Sequence, residues 1–212
     1  MFNINYQIKI KEVFKMANIK WNAKDTRVTL GLGRCGHFTE SNFKSLGYSS
    51  SRIKNLSCGE QKVYEKIGRD CKTGENVYRL SELGKEKCAE LGLERDLQYR
   101  CQGKEETMNF EHDRKLADVY CSLREEEQDR WKTEEMYKRE IEEVREHIRE
   151  HEPERWEEIK GEPYSAFDGG YVDEHNQEQY VEITTSSYKQ EDYDSKTNSA
   201  SMCGGNLNLY KA

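Results

Sequence analysis

Residues 38–56 read FTESNFKSLGYSSSRIKNL and contain two short helix patterns separated by one glycine. Thr39 is a favourable N-cap for a helix over residues 40–46, and Gly47 is suited to end that helix. A run of serines then precedes Ile53 and Leu56, whose spacing of three places both side chains on one helix face. Two short helices joined by a tight glycine turn predict a helix-turn-helix unit.

The sequence around this unit predicts one more helix before it, and a hairpin and a last helix after it. Residues 24–36 predict the first helix, although Gly31, Gly33 and Gly36 each weaken it by about 1 kcal/mol relative to alanine. Two alternating runs at 63–67 and 77–80 flank a polar loop with glycine at both ends, which is typical of a hairpin. Ser81 is a suitable cap for a helix that ends at Gly92. This order predicts a winged helix-turn-helix domain over residues 19–96.

Charge divides the chain into two unlike halves. Residues 1–100 hold 19 Lys and Arg against 12 Asp and Glu, whereas residues 101–212 hold 15 against 29. A basic half joined to an acidic half indicates different partners, with double-stranded DNA expected on the first half and a protein partner on the second. Residues 1–18 alternate loosely and are expected to form an N-terminal arm, which is either a short strand or an amphipathic helix.

The composition favours a cytoplasmic protein with reduced thiols. Seven cysteines are irregularly spaced, the N-terminal residues lack the apolar run of a secretory signal, and no stretch of about 20 apolar residues predicts a membrane span. The chain contains no Walker A sequence and no G-x-G-x-x-G sequence, so nothing in it predicts nucleotide-driven chemistry.

Several strings together resemble one family of plasmid and mobile-element proteins. Phe38-Thr39, Leu46-Gly47-Tyr48, residues 52–56 and residues 78–85 resemble the winged helix that opens the replication-relaxation family. Residues 110–120, FEHDRKLADVY, resemble the family's H-D-x-x-x-A-x-x-Y helix. Residues 167–171 and 180–184 resemble its later P-D-G and x-E-x strands.

This resemblance implies a second domain over residues 97–212 with a restriction-endonuclease-like α/β fold of the PD-(D/E)xK type. The expected fold class is therefore α+β or α/β, with a winged helix followed by a nuclease-like domain. The implied role is site-specific DNA binding in plasmid replication, DNA relaxation or transfer.

Residues 124–160 interrupt the resemblance as a charged helical insertion. Tyr137, Ile141, Val144 and Ile148 form one apolar seam on an otherwise charged helix. The seam either packs on its own domain or forms the arm of a homodimer. The Ser-, Asn- and Gly-rich tail from Ser195 is either loop and disorder, or a last helix followed by a short strand.

The candidate DNA-binding residues are polar or basic and lie in the second short helix and in the hairpin. Arg pairs bidentately with guanine and Asn with adenine, while Lys and Arg near a wing contact phosphates. In the helix they are Ser49, Ser50, Ser51, Arg52, Lys54 and Asn55, and in and before the wing they are Lys62, Lys66, Arg69 and Lys72.

The second domain carries candidates for a Mg²⁺-dependent nuclease site. Asp168 and Glu182 fall on neighbouring predicted strands, and Glu111 or Asp113 would add a third carboxylate. In the resembled motif a lysine stands two positions after the glutamate, where this chain has Thr184, and Phe167 replaces the proline. Lys189 or Lys196 would have to supply the missing lysine, so the leading expectation is a degenerate, non-catalytic nuclease-like domain.

Two further interpretations remain open beside DNA docking. One is a Mg²⁺-dependent endonuclease or nickase, and the other is a transcriptional regulator whose acidic half dimerises or binds a partner. Zinc is a weaker alternative, because Cys35, His37, Cys58 and Cys71 include no C-x₂-C pair. His147 and His151 lack the glutamate of a metalloprotease motif and are expected to be solvated.

Overall fold

A computed structural model describes residues 20–99 and 110–212, which form a mixed α and β structure with two small sheets. This agrees with the predicted α+β class at that level. The N-terminal arm predicted over residues 1–18 lies outside the described residues. Within the described ranges, no helix is both long enough and apolar enough to cross a membrane.

Residues 20–99, the described part of the first half, contain four helices and an antiparallel three-stranded sheet. The sheet order is β1-β3-β2, and β2 and β3 form the predicted hairpin. The elements are α1 (Ala23–Cys35), β1 (Phe38–Thr39), α2 (Glu40–Ser45), α3 (Ser50–Ser57), β2 (Tyr64–Arg69), β3 (Asn76–Leu80) and α4 (Glu82–Glu90).

Local capping explains where the short helices begin. The Thr39 side chain accepts a hydrogen bond from the Asn42 N–H, and the Ser49 side chain accepts one from the Arg52 N–H. Each bond satisfies an amide that the helix itself leaves unpaired. Gly47 makes the turn between α2 and α3 with a φ of 79°, a conformation that disfavours residues with a Cβ.

The predicted weakness of α1 at its glycines is offset by close packing. A Cβ on Gly31 would lie 2.7 Å from the Tyr120 ring, and one on Gly33 would lie 2.4 Å from Cys88 Sγ. The glycines therefore allow α1 to approach α4 and the helix that carries Tyr120 more closely than a larger residue would permit.

The second half forms a four-stranded mixed sheet with helices around it. The order is β4-β5-β6-β7, in which only the β6–β7 pair is parallel. The elements are α5 (Phe110–Ser122), α6 (Glu125–Asp129), β4 (Lys132–Thr133), α7 (Glu134–His151), α8 (Pro153–Ile159), β5 (Gly169–Val172), β6 (Glu178–Thr184), α9 (Gln190–Cys203) and β7 (Asn206–Lys211).

Two of the sequence-based alternatives are resolved here. The tail from Ser195 is ordered as the end of α9 followed by β7, so the alternative of loop and disorder is wrong. The seam of α7 packs within the chain, where Tyr137 meets the Phe167 and Tyr180 rings at 5.3 and 5.4 Å. The predicted insertion also contains β4, a two-residue strand of the sheet that is too short to give a periodic signal.

The two halves share one hydrophobic core. It runs from α1 and the first sheet through Leu116 and Tyr120 of α5 to Trp131, Val181 and Ile183 near the second sheet. A smaller cluster lies between α7, α9 and the outer part of the second sheet. α5 is therefore one of the elements that join the two halves.

Candidate functional site

Asp168 and Glu182 are brought together by pairing of β5 with β6. Asp168 immediately precedes β5, Glu182 lies within β6, and Gly169 pairs with Val181 in the register between the two strands. The Asp168 N–H donates to Glu182 Oε2 at 3.2 Å, and the Ile183 N–H donates to Asp168 Oδ2 at 2.7 Å. Both carboxylates are thus held by backbone groups at one position of the sheet.

Lys196 reaches the same position from α9. Its Nζ lies 2.8 Å from Glu182 Oε2 and also donates to the Ala166 carbonyl. The two side chains are largely buried, at 12% exposure for Lys196 and 5% for Glu182. Lys189, the other candidate lysine, is exposed as the N-cap of α9. Thr184 donates to the Tyr210 carbonyl at 3.4 Å.

Glu182 has an unusual environment for a carboxyl group. Burial and, next, the negative charge of Asp168 raise the pKa of Glu182, Lys196 opposes both effects, and the net result is a pKa of about 7. Its other oxygen, Oε1, accepts a hydrogen bond of 2.7 Å from the Tyr188 hydroxyl. The group therefore exchanges protons near neutral pH.

His112 connects Asp168 to a second group of polar side chains on α5. Its Nε2 lies 3.0 Å from Asp168 Oδ2, and its Nδ1 lies 3.2 Å from Asp113 Oδ1. Burial alone would lower the pKa of His112, but the hydrogen bonds to Asp113 and Asp168 raise it to about 10. Both ring nitrogens then carry protons and donate to carboxylates.

Asp113 faces this histidine cluster and not the Glu182 carboxylate. It accepts from His37 Nδ1 at 2.7 Å and from the Tyr99 hydroxyl at 3.1 Å in addition to His112. Burial would raise the pKa of Asp113, but the hydrogen bonds from His112 and His37 lower it to about 2. Sequence reasoning noted His112 and Asp113 as a motif without assigning them a contact with Asp168.

Glu111 does not join the site, because its carboxylate pairs with Lys72 Nζ at 2.7 Å. Among the described residues, no three His, Cys, Asp or Glu side chains are grouped so as to hold a metal ion. The zinc alternative on Cys35, His37, Cys58 and Cys71 therefore has no structural support in this part of the chain.

The two carboxylates nevertheless fit the limited requirement of Mg²⁺. That ion is usually held by one or two carboxylates and completes its shell with water and substrate phosphate. The Asp168 side chain forms two hydrogen bonds with described residues, and Oδ2 accepts both of them. Asp168 Oδ1 faces no donor among the described residues. Asp168 and Glu182 are the residues that would hold the ion.

The candidate DNA-binding residues divide into exposed and engaged groups. In and around α3, Ser49, Ser50, Ser51, Lys54 and Asn55 are exposed, as are Lys66 and Arg69 of the hairpin. Lys62 lies 3.8 Å from Glu65, and Lys72 pairs with Glu111.

Arg52 is the main departure from the expected surface. Its guanidinium pairs with Asp25, which is fully buried, and Arg52 Nε donates to Asp25 Oδ1 at 2.9 Å. Nη2 also donates to the Lys20 carbonyl at 2.9 Å. The guanidinium thus lies against α1, where it compensates a buried charge, and is not directed toward bases. No periodic pattern in the sequence signals this pairing.

Comparison of the chain with protein-family models, with curated proteins and with solved structures finds no match in any of the three. The functional interpretation therefore depends on the geometry of the site.

Proposed function

We propose that this chain is a DNA-binding protein that cleaves the DNA backbone with a divalent metal ion. The first half is proposed as a winged helix, on the support of its α-β-α-α-β-β order and its three-stranded antiparallel sheet. The second half is proposed as a nuclease-type domain, on the support of the mixed sheet that holds the buried Glu182 carboxylate in one central strand and the partly buried Asp168 carboxylate just before the other.

The observation that carries the proposal is the contact of 2.8 Å between Lys196 and Glu182. The sequence lacks the lysine expected two residues after the glutamate, which is the main argument against catalysis. Lys196 supplies an ammonium group at the same carboxylate from a neighbouring helix. Two carboxylates and one lysine are the residue types of the resembled PD-(D/E)xK motif, and carboxylates are suitable ligands for a divalent ion.

Each side chain has a chemical task in this proposal. A divalent ion, when bound, would polarise the phosphate and make water a stronger nucleophile at neutral pH. Asp168 and Glu182 would hold that ion, and Lys196 would supply a positive charge that stabilises the negative charge developing in the transition state. The Tyr188 hydroxyl fixes the orientation of Glu182 through Oε1.

DNA binding is supported by the exposed polar face of α3 and by the hairpin. Lys54 and Asn55 are exposed on that helix, and Lys66 and Arg69 are exposed on β2. Residues 1–100 contain 19 basic and 12 acidic residues, and this excess of positive charge favours contact with phosphates. The resemblance to the replication-relaxation family adds a plasmid or mobile element as the proposed setting.

The test is a nicking assay on supercoiled plasmid with and without Mg²⁺. We expect Mg²⁺-dependent nicking by the parent protein and a loss of at least about 100-fold for Lys196→Met and Asp168→Asn. Lys189→Met is the matched control, because Lys189 is exposed at the N-cap of α9, the helix that carries Lys196. This variant should nick like the parent. Nicking that survives Lys196→Met would contradict the proposed site.

A second candidate is DNA docking without cleavage, and one observation favours it. Each carboxylate already faces a protein cation, Lys196 at Glu182 and His112 at Asp168. Gel-shift binding by the parent protein without nicking in Mg²⁺ or Mn²⁺ would establish this candidate. Footprints over an origin would then indicate replication or transfer, and footprints over the protein's own promoter would indicate a regulator.

A further inference from the structure

The His112-Asp113 pair lies at the boundary between the two halves and has no task in the proposed function so far. His112 contacts Asp168, whereas Asp113 contacts His37 and Tyr99 of the first half. Three of these side chains are at least four-fifths buried, since His37 is 3% exposed, Asp113 15% and His112 20%. Buried polar groups that are all hydrogen-bonded hold one another in fixed orientations.

We propose that His112 is a positioning residue that orients the Asp168 carboxylate for the divalent ion. This inference depends on the proposed function, because it assigns a role within the same site. The Ile183 N–H and His112 Nε2 both donate to Asp168 Oδ2, so rotation of the carboxylate is restrained at that oxygen. Oδ1 is then the oxygen that remains for the ion.

Asp113 in turn fixes the imidazole ring. It accepts from His112 Nδ1 while its other oxygen accepts from His37, so the ring cannot turn without breaking a buried hydrogen bond. Partners of this kind behind a metal-binding carboxylate typically change metal affinity by about 10- to 100-fold when they are removed. The acidic Asp113 also offsets the positive charge of His112, so the pair restrains Asp168 with little net charge.

The test compares two amide substitutions that differ in reach. Glutamine at position 112 places its amide nitrogen close to the position of Nε2 and retains a donor to Asp168. Asparagine is one carbon shorter and retains a donor only toward Asp113. The exposed His175, on the turn between β5 and β6, provides the control His175→Asn.

Mn²⁺ binding to the intact protein is measured by calorimetry and by the electron paramagnetic resonance signal of free Mn²⁺. We expect His112→Asn to weaken binding by about 10- to 100-fold. His112→Gln is expected to stay within about threefold of the parent and the control to be unchanged. For His112→Asn, the nicking rate relative to the parent should fall less at saturating Mn²⁺ than at low Mn²⁺, because the orientation of Asp168 acts on binding of the ion.

Two outcomes would overturn the inference alone while leaving the proposed function intact. One is a parent that binds Mn²⁺ and a His112→Asn variant that binds it equally or more tightly. The other is equal weakening by His112→Asn and His112→Gln, which would mean that the donor to Asp168 is not what matters. A parent that binds no more Mn²⁺ than Asp168→Asn would instead overturn the proposed function, and this inference with it.

Discussion

Asp25 is a fully buried acid whose charge is compensated by one arginine and one tyrosine. Arg52 Nε lies 2.9 Å and the Tyr48 hydroxyl 2.6 Å from Asp25 Oδ1. Removing one member of a buried ion pair leaves an uncompensated charge in a medium that solvates it poorly. We therefore expect Arg52→Ala to lower the free energy of unfolding by about 3 kcal/mol, as measured by urea titration.

The control for this prediction lies on the same helix. Lys54 is exposed, and Lys54→Ala is expected to change stability by less than about 0.5 kcal/mol. DNA affinity provides the converse readout, because Lys54→Ala should weaken binding while the folded fraction of Arg52→Ala should retain it. A stable Arg52→Ala protein with relaxed sequence preference would mean that the arginine reads bases after all.

Because Glu182 loses its proton, we expect the free energy of unfolding to fall as pH rises through neutrality. Burial raises the pKa of Glu182 to about 7, whereas a glutamate in the unfolded chain titrates near pH 4.3. Between these values the folded state binds more protons than the unfolded state, so the free energy of unfolding falls as pH increases. The shift corresponds to about 3 kcal/mol between pH 4 and pH 8.

Glu182→Gln cannot titrate and should lack this loss. Urea titrations at pH 4 and pH 8 are therefore expected to show the variant gaining stability relative to the parent by about 3 kcal/mol between the two values. Adding Mg²⁺ should shrink the difference in stability between Glu182→Gln and the parent at pH 8, since the ion stabilises the ionised parent. The same difference in stability at pH 4 and pH 8 would contradict the raised pKa.

At the scale of elements, α5 makes polar contacts on both of its sides. Toward the first half, Glu111 pairs with Lys72 at 2.7 Å and Asn42 donates to Asp118 at 2.7 Å. Toward the second half, His112 contacts Asp168. The loop between β2 and β3, which is expected to contact phosphates, is thus tied to the helix that contacts the candidate site.

The ion pair between Lys72 and Glu111 should compete with DNA. Both side chains are about half exposed, and a pair of this kind contributes no more than about 1 kcal/mol, so a phosphate can displace Glu111. We expect Glu111→Gln to tighten DNA binding by about two- to fivefold, and Lys72→Ala to weaken binding to all sequences. Lys72→Ala should also reduce the slope of log K against log salt by about 0.9.

Fluorescence anisotropy titrations over a range of salt concentrations measure both effects. Glu157→Gln on α8 removes an exposed acid that is likewise paired with a lysine, far along the chain, and serves as the control for net charge. Equal tightening by Glu157→Gln and Glu111→Gln would show that only total charge matters. No change in the Lys72→Ala slope would place the hairpin loop away from the DNA.

Sequence reasoning succeeded where a residue acts on its immediate neighbours. Thr39, Ser49, Gly47 and Ser81 determine helix ends through bonds or turns within a few residues, and the corresponding elements were predictable. These are short-range effects that a single sequence contains. Neighbouring strands for Asp168 and Glu182 were instead implied by the family resemblance, with one short turn between them.

The features that were missed, or in the case of Lys196 left open beside Lys189, depend on contacts through space. Lys196 approaches Glu182 only because α9 crosses back between two parallel strands, and Arg52 turns inward only because α1 presents Asp25. β4 is two residues long and exists through its pairing with β5. No periodicity or spacing along the chain encodes any of these partners, so they require the folded structure.

At the scale of the whole molecule, the shared core predicts that the halves unfold together. Leu116 and Tyr120 of α5 are fully buried among residues of both halves. Leu116→Ala removes apolar contacts from both sides at once and is expected to cost about 3 kcal/mol. Because the larger core includes α5 together with residues of both halves, we expect the transition to be a single cooperative one.

The three tryptophans make this prediction measurable region by region. Trp21 packs on the first half, Trp131 lies in the shared core and Trp156 packs on the smaller cluster beside α7. With fluorotryptophan incorporated, ¹⁹F NMR signals of all three should disappear at one urea midpoint, and Leu116→Ala should shift that midpoint equally for each. Leu209→Ala, at a side chain that is 47% exposed, should leave it unchanged. Separate midpoints for Trp21 and Trp156 would mean that the DNA-binding half folds independently, and contacts across α5 would then be too weak to couple DNA binding to the candidate site.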